Sequence, residues 1–149
     1  MGVNIMGQAI ISKIKSFWWY NSYVAEIVYI KRTTKKGLGV FAARNIKDGE
    51  IIESAPVLVF SPKDRKNLEK TPLSHYIYPW RSTRGAALAF GYGSIYNHSY
   101  SPNADWKQNF KTQSMIYRAI KDIKKDEEIT VNYNGEPDEQ TSIDWFDVK

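Results

Sequence analysis

Cysteine is absent from this 149-residue chain, and its only histidines are His75 and His98. Without a thiol there is no disulfide, no thiolate nucleophile and no cysteine-ligated zinc. Two histidines are too few for a histidine-rich metal centre, and no stretch has the acidic spacing of an EF-hand loop, so no metal ligand is assigned. Nothing approaches the roughly 20 apolar residues that a membrane-spanning helix needs. The opening MGVNIMGQAIISKIKSFWWY has lysines inside its apolar part and no small-residue cleavage site, which argues against a signal peptide. Met6 stands where a myristoylation signal wants Ser or Thr. There is no βαβ rhythm, GxGxxG fingerprint or Walker loop, and no internal repeat or low-complexity tract is evident.

What is present is ordinary globular material, 42% hydrophobic and 25% charged, enough for one domain with a buried core. Its net charge of +5 is unevenly spread. Residues 1–120 hold seventeen basic and seven acidic side chains, while 121–149 hold nine acids and four lysines. The chain is therefore bipolar. A basic body suits nucleic acid, but no RNA-binding signature accompanies it, so contact with nucleic acid is expected only indirectly.

Residues 9–20 place Ile10, Ile14, Phe17 and Trp18 on one helical face. The spacing predicts a helix that packs on the domain or, alternatively, meets a partner or a membrane surface. A strand is predicted over 24–33, then turn, strand, turn and strand, with Asp48-Gly49 as a hairpin signal. APVLVF, at 55–60, reads as a further short strand, and 63–75 as loop or short helix. RGAALAFGYGSIY is rich in small residues that permit close backbone approach. Strands at 114–120 and 128–133 flank a charged turn. Many short strands punctuated by Gly, Pro and Asp predict a mainly β domain.

Four separated segments are chemically unusual: KKGLGVFA (35–42), SHYIYPW (74–80), SIYNHSYSPNADW (94–106) and EEITVNYN (127–134). Taken together and in this order, they resemble the SET-domain family of protein-lysine methyltransferases. The resemblance is carried by Lys36-Gly37-Leu38-Gly39-Val40-Phe41-Ala42, an aromatic run, Asn97-His98-Ser99-x-x-Pro102-Asn103, and Glu128-Ile129-Thr130-x-x-Tyr133, with DGEII at 48–52 in support. It covers roughly 24–135. It implies a fold of small curved, β-clip-like sheets with a few short helices, in which the Asn97 and Tyr133 segments thread as a pseudoknot. It also implies S-adenosylmethionine as methyl donor and a narrow channel for a protein lysine.

On that resemblance Tyr133 orients amine and methyl group, and Tyr76 lines the channel beside it, with Tyr78 as rival. Lys36, Gly37, Leu38 and Gly39 would wrap the donor, with Asn97 and His98 anchoring its amino-acid end. Trp106 and Val131 would shape the channel. The cysteine-rich zinc cluster of many relatives is missing. The tail SIDWFDVK instead resembles that of zinc-free members, which assigns Trp145 to the adenine and Phe146 to the channel. The expected organisation is a flanking segment over 1–22, a core over 23–135 and a closing tail over 136–149.

The acids of the C-terminal part suggest a basic substrate segment, such as a histone tail. A minimal core of this kind is open to homodimerisation. The absence of export signals fits a cytoplasmic enzyme, or one acting in a host nucleus if viral or an effector. The alternative reading is a catalytically inactive module that only binds protein tails, and a third is a basic nucleic-acid-binding β domain.

Overall fold

The computed structural model describes residues 27–143, so the expected helix over 9–20 and the tail residues Trp145 and Phe146 lie outside the described residues. The strands in chain order are β1 (Val28–Arg32), β2 (Leu38–Ala42), β3 (Ile51–Phe60), β4 (Ile77–Trp80), β5 (Ser82–Ala89), β6 (Asn97–His98), β7 (Ala104–Asn109), β8 (Ser114–Ala119) and β9 (Glu128–Val131). Helix α1 (Pro62–Leu68) and a 3₁₀ turn (Pro72–His75) join β3 to β4. The strands form two sheets, ordered β1-β2-β9-β6 and β4-β5-β3-β8-β7. This is the mainly β architecture of small sheets that the strand pattern predicts. Among the described residues no helix is long and apolar enough to cross a membrane.

Local chemistry explains most element boundaries. Ser61 caps α1 by accepting from the Asp64 N–H, and Asp64 answers as an acceptor for the Ser61 N–H, with Pro62 opening the first turn. Residues 63–75 are therefore partly helical. Four strands went unanticipated, the short β4 and β6 and the longer β5 and β7. β5 is built from STRGAALA, whose small residues have little strand propensity of their own, and β7 from the polar ADWKQN. Both are strands because tertiary neighbours pair with them: β5 lies between β4 and β3, and β7 pairs along its whole length with β8.

The Asp48-Gly49 turn does not join paired strands. β2 and β3 belong to different sheets, and the turn carries the chain from one to the other. It has a counterpart that the sequence pattern conceals. Ile46-Lys47-Asp48-Gly49-Glu50 and Ile123-Lys124-Lys125-Asp126-Glu127 share only Ile-Lys-x-x-Glu, yet they adopt the same turn. Glu50 N–H donates to the Lys47 carbonyl at 3.0 Å, and Glu127 N–H to the Lys124 carbonyl at 3.1 Å. Each glutamate also accepts from the N–H three residues earlier, of Lys47 and of Lys124. Gly49 and Asp126 both have positive φ, 79° and 67°. The two buried isoleucines then exchange backbone hydrogen bonds of 2.9 and 2.8 Å, tying the turns together. The first turn delivers β3 to the larger sheet, and the second delivers β9 to β2.

Between the sheets lies a core dominated by Tyr96 and Tyr117, both fully buried, with ring centroids 4.4 Å apart. At its edge Asn103 bonds to the strand that crosses beneath it. Its buried amide donates to Glu127 Oε1 (3.0 Å) and the Glu128 carbonyl (2.8 Å), while its Oδ1 accepts from Thr130 N–H (2.9 Å). Asn103→Ala would strand the Glu128 carbonyl and the Thr130 N–H beside β6. A loss of about 2–4 kcal/mol in unfolding free energy is expected. Urea titration would read it as a lower midpoint at an unchanged slope.

Candidate active site

β6 is only two residues long, and it runs parallel to β9, with Asn97 opposite Thr130 and His98 opposite Val131. So short a strand, with Asn, His, Ser and Pro in and around it, holds because β9 supplies its partners, and β9 is itself held by the Asn103 amide at Glu128 and Thr130. β9 also pairs with β2, which brings the turn at 33–38 alongside. Lys36 Nζ donates to the His98 carbonyl at 2.9 Å. Asn97 Nδ2 donates to the Leu38 carbonyl at 3.1 Å and to Glu128 Oε1 at 2.7 Å. Lys36, Gly37, Leu38, Gly39, Asn97 and His98, far apart in sequence, are thus brought together. A Cβ at Gly39 would stand 2.7 Å from Glu128 Oε1 and 2.9 Å from Asn97 Nδ2, so a larger residue there would push these two side chains out of their bond.

Tyr133 lies immediately beyond β9. Its N–H donates to His98 Nδ1 at 3.1 Å, and its hydroxyl donates to the Tyr96 carbonyl at 2.7 Å. Burial, with smaller contributions from Tyr76 and Glu128, pushes the phenol up to about 12, so it stays protonated and remains a donor. With Nδ1 accepting from Tyr133, a neutral His98 carries its proton on Nε2. Burial first, and the Lys36 ammonium second, lower the His98 imidazole pKa.

Next to Tyr133 opens a cavity of about 410 Å³, lined among others by Glu69, His75, Tyr76, Tyr78 and Ser94. Tyr76 is about half exposed, at 49%. Its rival Tyr78 also reaches the cavity wall, but its hydroxyl is spent on the Gly93 carbonyl at 2.7 Å. Trp106 is not part of the lining. It sits behind Tyr78, with ring centroids 5.0 Å apart, and donates its Nε1–H to the Asn132 carbonyl at 3.0 Å. Val131 is wholly buried in β9 and is not part of the lining either.

Two participants escaped the residue patterns. Glu128 was legible only as part of a strand motif, yet it holds Asn97. Glu53, in β3, is 4% exposed and accepts from the Tyr92 N–H at 3.0 Å and the Tyr96 hydroxyl at 3.1 Å. No spacing in the sequence joins residue 53 to residue 96.

The donor set around the crossing fits an amino-acid-bearing sulfonium. It offers one ammonium (Lys36), one carboxylate (Glu128) and backbone carbonyls at Leu38, Tyr96 and His98, on a turn too close-packed for a side chain at position 39. Lys36 suits a carboxylate, while Glu128 and the carbonyls suit cationic groups.

The sequence matches the SET domain over residues 37–134. The chain belongs to the SET-domain family. It is 36% identical over 105 residues to a Schizosaccharomyces pombe histone-lysine N-methyltransferase specific for lysine 37 of H3, an alignment covering 70% of this chain and 71% of the relative. A Plasmodium falciparum structure described as a histone methyltransferase is 34% identical. It has a TM-score of 0.56, over 72% of this SET-domain chain and 92% of that one. A chain of the Chaetomium thermophilum Polycomb Repressive Complex 2, in a structure bound to S-adenosylmethionine, shares the fold with a TM-score of 0.63 at 22% identity. That match covers 72% of this chain and 15% of the other. This SET-domain chain is an S-adenosylmethionine-dependent protein-lysine methyltransferase.

Burial raises the Glu53 carboxyl from 4.5 to about 7, against the opposing pull of its bonds from Tyr92 and Tyr96. Because the folded value is raised, its contribution to stability is fully present below the unfolded value and lost as pH rises through the folded one. The wild type should therefore lose about 3 kcal/mol relative to Glu53→Gln between about pH 4.5 and pH 7, read from paired denaturant titrations across that range.

Proposed function

We propose that this SET-domain enzyme methylates a lysine within a basic protein segment such as a histone tail, with Tyr133 as the residue that orients the reacting groups. The observation that carries this reading is the 2.7 Å bond from the Tyr133 hydroxyl to the Tyr96 carbonyl, at the wall of an aromatic-lined cavity. When bound, S-adenosylmethionine supplies an electrophilic methyl group on a sulfonium. Lys36, Glu128 and the backbone of residues 37–39 and 97–98 would hold its amino-acid end. Tyr96 O and the Tyr133 hydroxyl oxygen together make a small ring of acceptors, which suits the polarised hydrogens of a methyl group through weak C–H···O contacts.

The cavity walls do the rest. Tyr76 and Tyr78 offer aromatic faces to the apolar stem of a lysine and attract its cationic head. Exclusion of water there, with a cationic donor adjacent, disfavours the ammonium form and leaves the amine nucleophilic. His98 is not required as base, since its Nδ1 already accepts from Tyr133 N–H. Alignment then supplies much of the acceleration, on the scale of ~7–11 kcal/mol for well-oriented reactions.

Residues after 135 complete the site on this reading. Their described beginning is tied down: Asn132 Nδ2 donates to the Glu139 carbonyl, Gln140 Nε2 to the Tyr100 carbonyl, and Ile143 N–H to the Tyr100 hydroxyl. Tyr100 in turn stands edge-on to His98, with centroids 4.4 Å apart. This course supports Trp145 and Phe146 as the residues that close over donor and channel. Trp106, packed on Tyr78, and Val131, buried in β9 two residues before Tyr133, would influence the number of methyl groups indirectly, through the position of Tyr78 and Tyr133. A histone substrate would place the enzyme's action on chromatin.

Tyr133→Phe removes the hydroxyl but keeps the ring. Its kcat on a histone-tail peptide should fall about 100-fold, with S-adenosylmethionine affinity by calorimetry unchanged within about twofold. Full activity would dismiss Tyr133 from its role. Neutralising Asp138, Glu139 and Asp144 together should raise the peptide KM about two- to fivefold and flatten its dependence on salt. A KM and salt slope that stay put would remove the acidic tail from substrate choice.

A further inference from the structure

We infer that Glu53, which touches neither cavity nor crossing, is a positioning residue that clamps the turn carrying the Tyr96 carbonyl and so aims the hydroxyl of Tyr133. The inference rests on the methyltransferase reading above and extends it to a residue in the opposite sheet.

Four observations support it. First, the two oxygens of one rigid carboxylate grip both ends of the segment 92–96: Oε1 accepts from Tyr92 N–H and Oε2 from the Tyr96 hydroxyl. Second, the backbone of Tyr96 is the acceptor for the Tyr133 hydroxyl, so a shift of this segment moves the reacting geometry directly. Third, the turn sits against the carboxylate itself. A Cβ at Gly91, where φ is +65°, would meet Glu53 Oε1 at 2.2 Å. Fourth, the start of the segment is anchored to the core as well, because Gly93 O accepts from the hydroxyls of Tyr78 (2.7 Å) and Tyr117 (2.8 Å). Glu53 adds the bond that reaches the Tyr96 side chain at the far end.

The chemistry is expensive for a merely structural contact. Glu53 is the one acid buried among the described residues, and the titratable groups facing it are Tyr92 and Tyr96 from the turn, Tyr78 from β4 and Tyr117 from β8. No cation stands among them. A buried anion without a counter-ion destabilises the fold, and a neutral amide of the same shape would not. What the anion adds is a pair of charge-assisted bonds, roughly twice as strong as neutral ones and directional. Protonation near neutral pH weakens that grip, so the clamp tightens as pH rises.

The test uses the full chain and Glu53→Gln, assayed with a histone-tail peptide from about pH 6 to about pH 9. At the alkaline end the variant should melt no lower than the wild type, yet its kcat should be down about tenfold. The deficit should shrink toward one as pH falls below 7, with S-adenosylmethionine affinity unchanged throughout. A kcat ratio of one at every pH overturns the inference, as does a pH-independent deficit accompanied by a lower Tm, which is the signature of packing alone. The NMR signal of isotope-labelled Tyr133, followed over the same range, reads the clamp without activity. It should shift through about pH 7 in the wild type and stay still in the variant. A wild-type signal that never moves overturns the positioning, whereas a moving signal without methyl transfer leaves it standing and removes the substrate reading instead.

Discussion

The parallel pairing of β6 with β9 is the contact on which the molecule depends. It joins only two residue pairs, Asn97 with Thr130 and His98 with Val131, and a ladder that short has no stability of its own. It persists because everything around it is satisfied by it. Asn103 closes the Glu128 and Thr130 backbone groups from one side, Asn97 reaches across to Leu38 and Glu128 from the other, and Lys36 seals the His98 carbonyl. The same bonds that hold the crossing together bring Lys36, Asn97 and Glu128 into one cluster. Candidate site and crossing are one set of hydrogen bonds, so the residues gathered there are held stiffly.

A second network, on the other side of Tyr133, is aromatic and acidic. Tyr78, Tyr96 and Tyr117 bury their rings in the core and spend their hydroxyls on Gly93 O and Glu53. Each buried hydroxyl must find an acceptor, and the carbonyls of a small-residue turn are the ones within reach. The small side chains of AFGYGS therefore serve a packing purpose: Gly93 lies so close to Ala89, Ala55 and Tyr117 that a Cβ would stand 2.6 to 3.1 Å from them. That closeness brings the Tyr96 carbonyl up to Tyr133.

Much of the site was legible in advance. The turn at 36–39, Asn97-His98 and Tyr133 come together as their motifs imply, and Tyr76 reaches the cavity. These residues are legible because the chemistry restricts them to particular side chains at particular places in the chain order. Trp106 was less so. A tryptophan after the Asn-His segment reads equally well as channel wall or as packing, and its indole N–H, bonded to Asn132 O, holds it behind Tyr78. Strands β5 and β7 were missed for a related reason: Ala, Gly, Asp, Lys and Asn carry almost no strand signal, and pairing partners made them strands. The twin turns at 46–50 and 123–127 were hidden because two of their five positions answer to backbone geometry rather than to side-chain identity. Gly and Asp can both occupy a left-handed position.

By itself, the sequence determined the fold class and the family, and it named the segments that meet at the crossing. Alternation, turn residues and chemically constrained motifs are local properties that survive without coordinates. Only the tertiary structure decided that Tyr76 and Tyr78 both line the cavity, that Trp106 packs on Tyr78 outside that lining, and that Glu53 accepts from Tyr92 and Tyr96. Those outcomes depend on which groups meet across two sheets and on where a buried donor finds its acceptor, and a linear spacing carries no record of either.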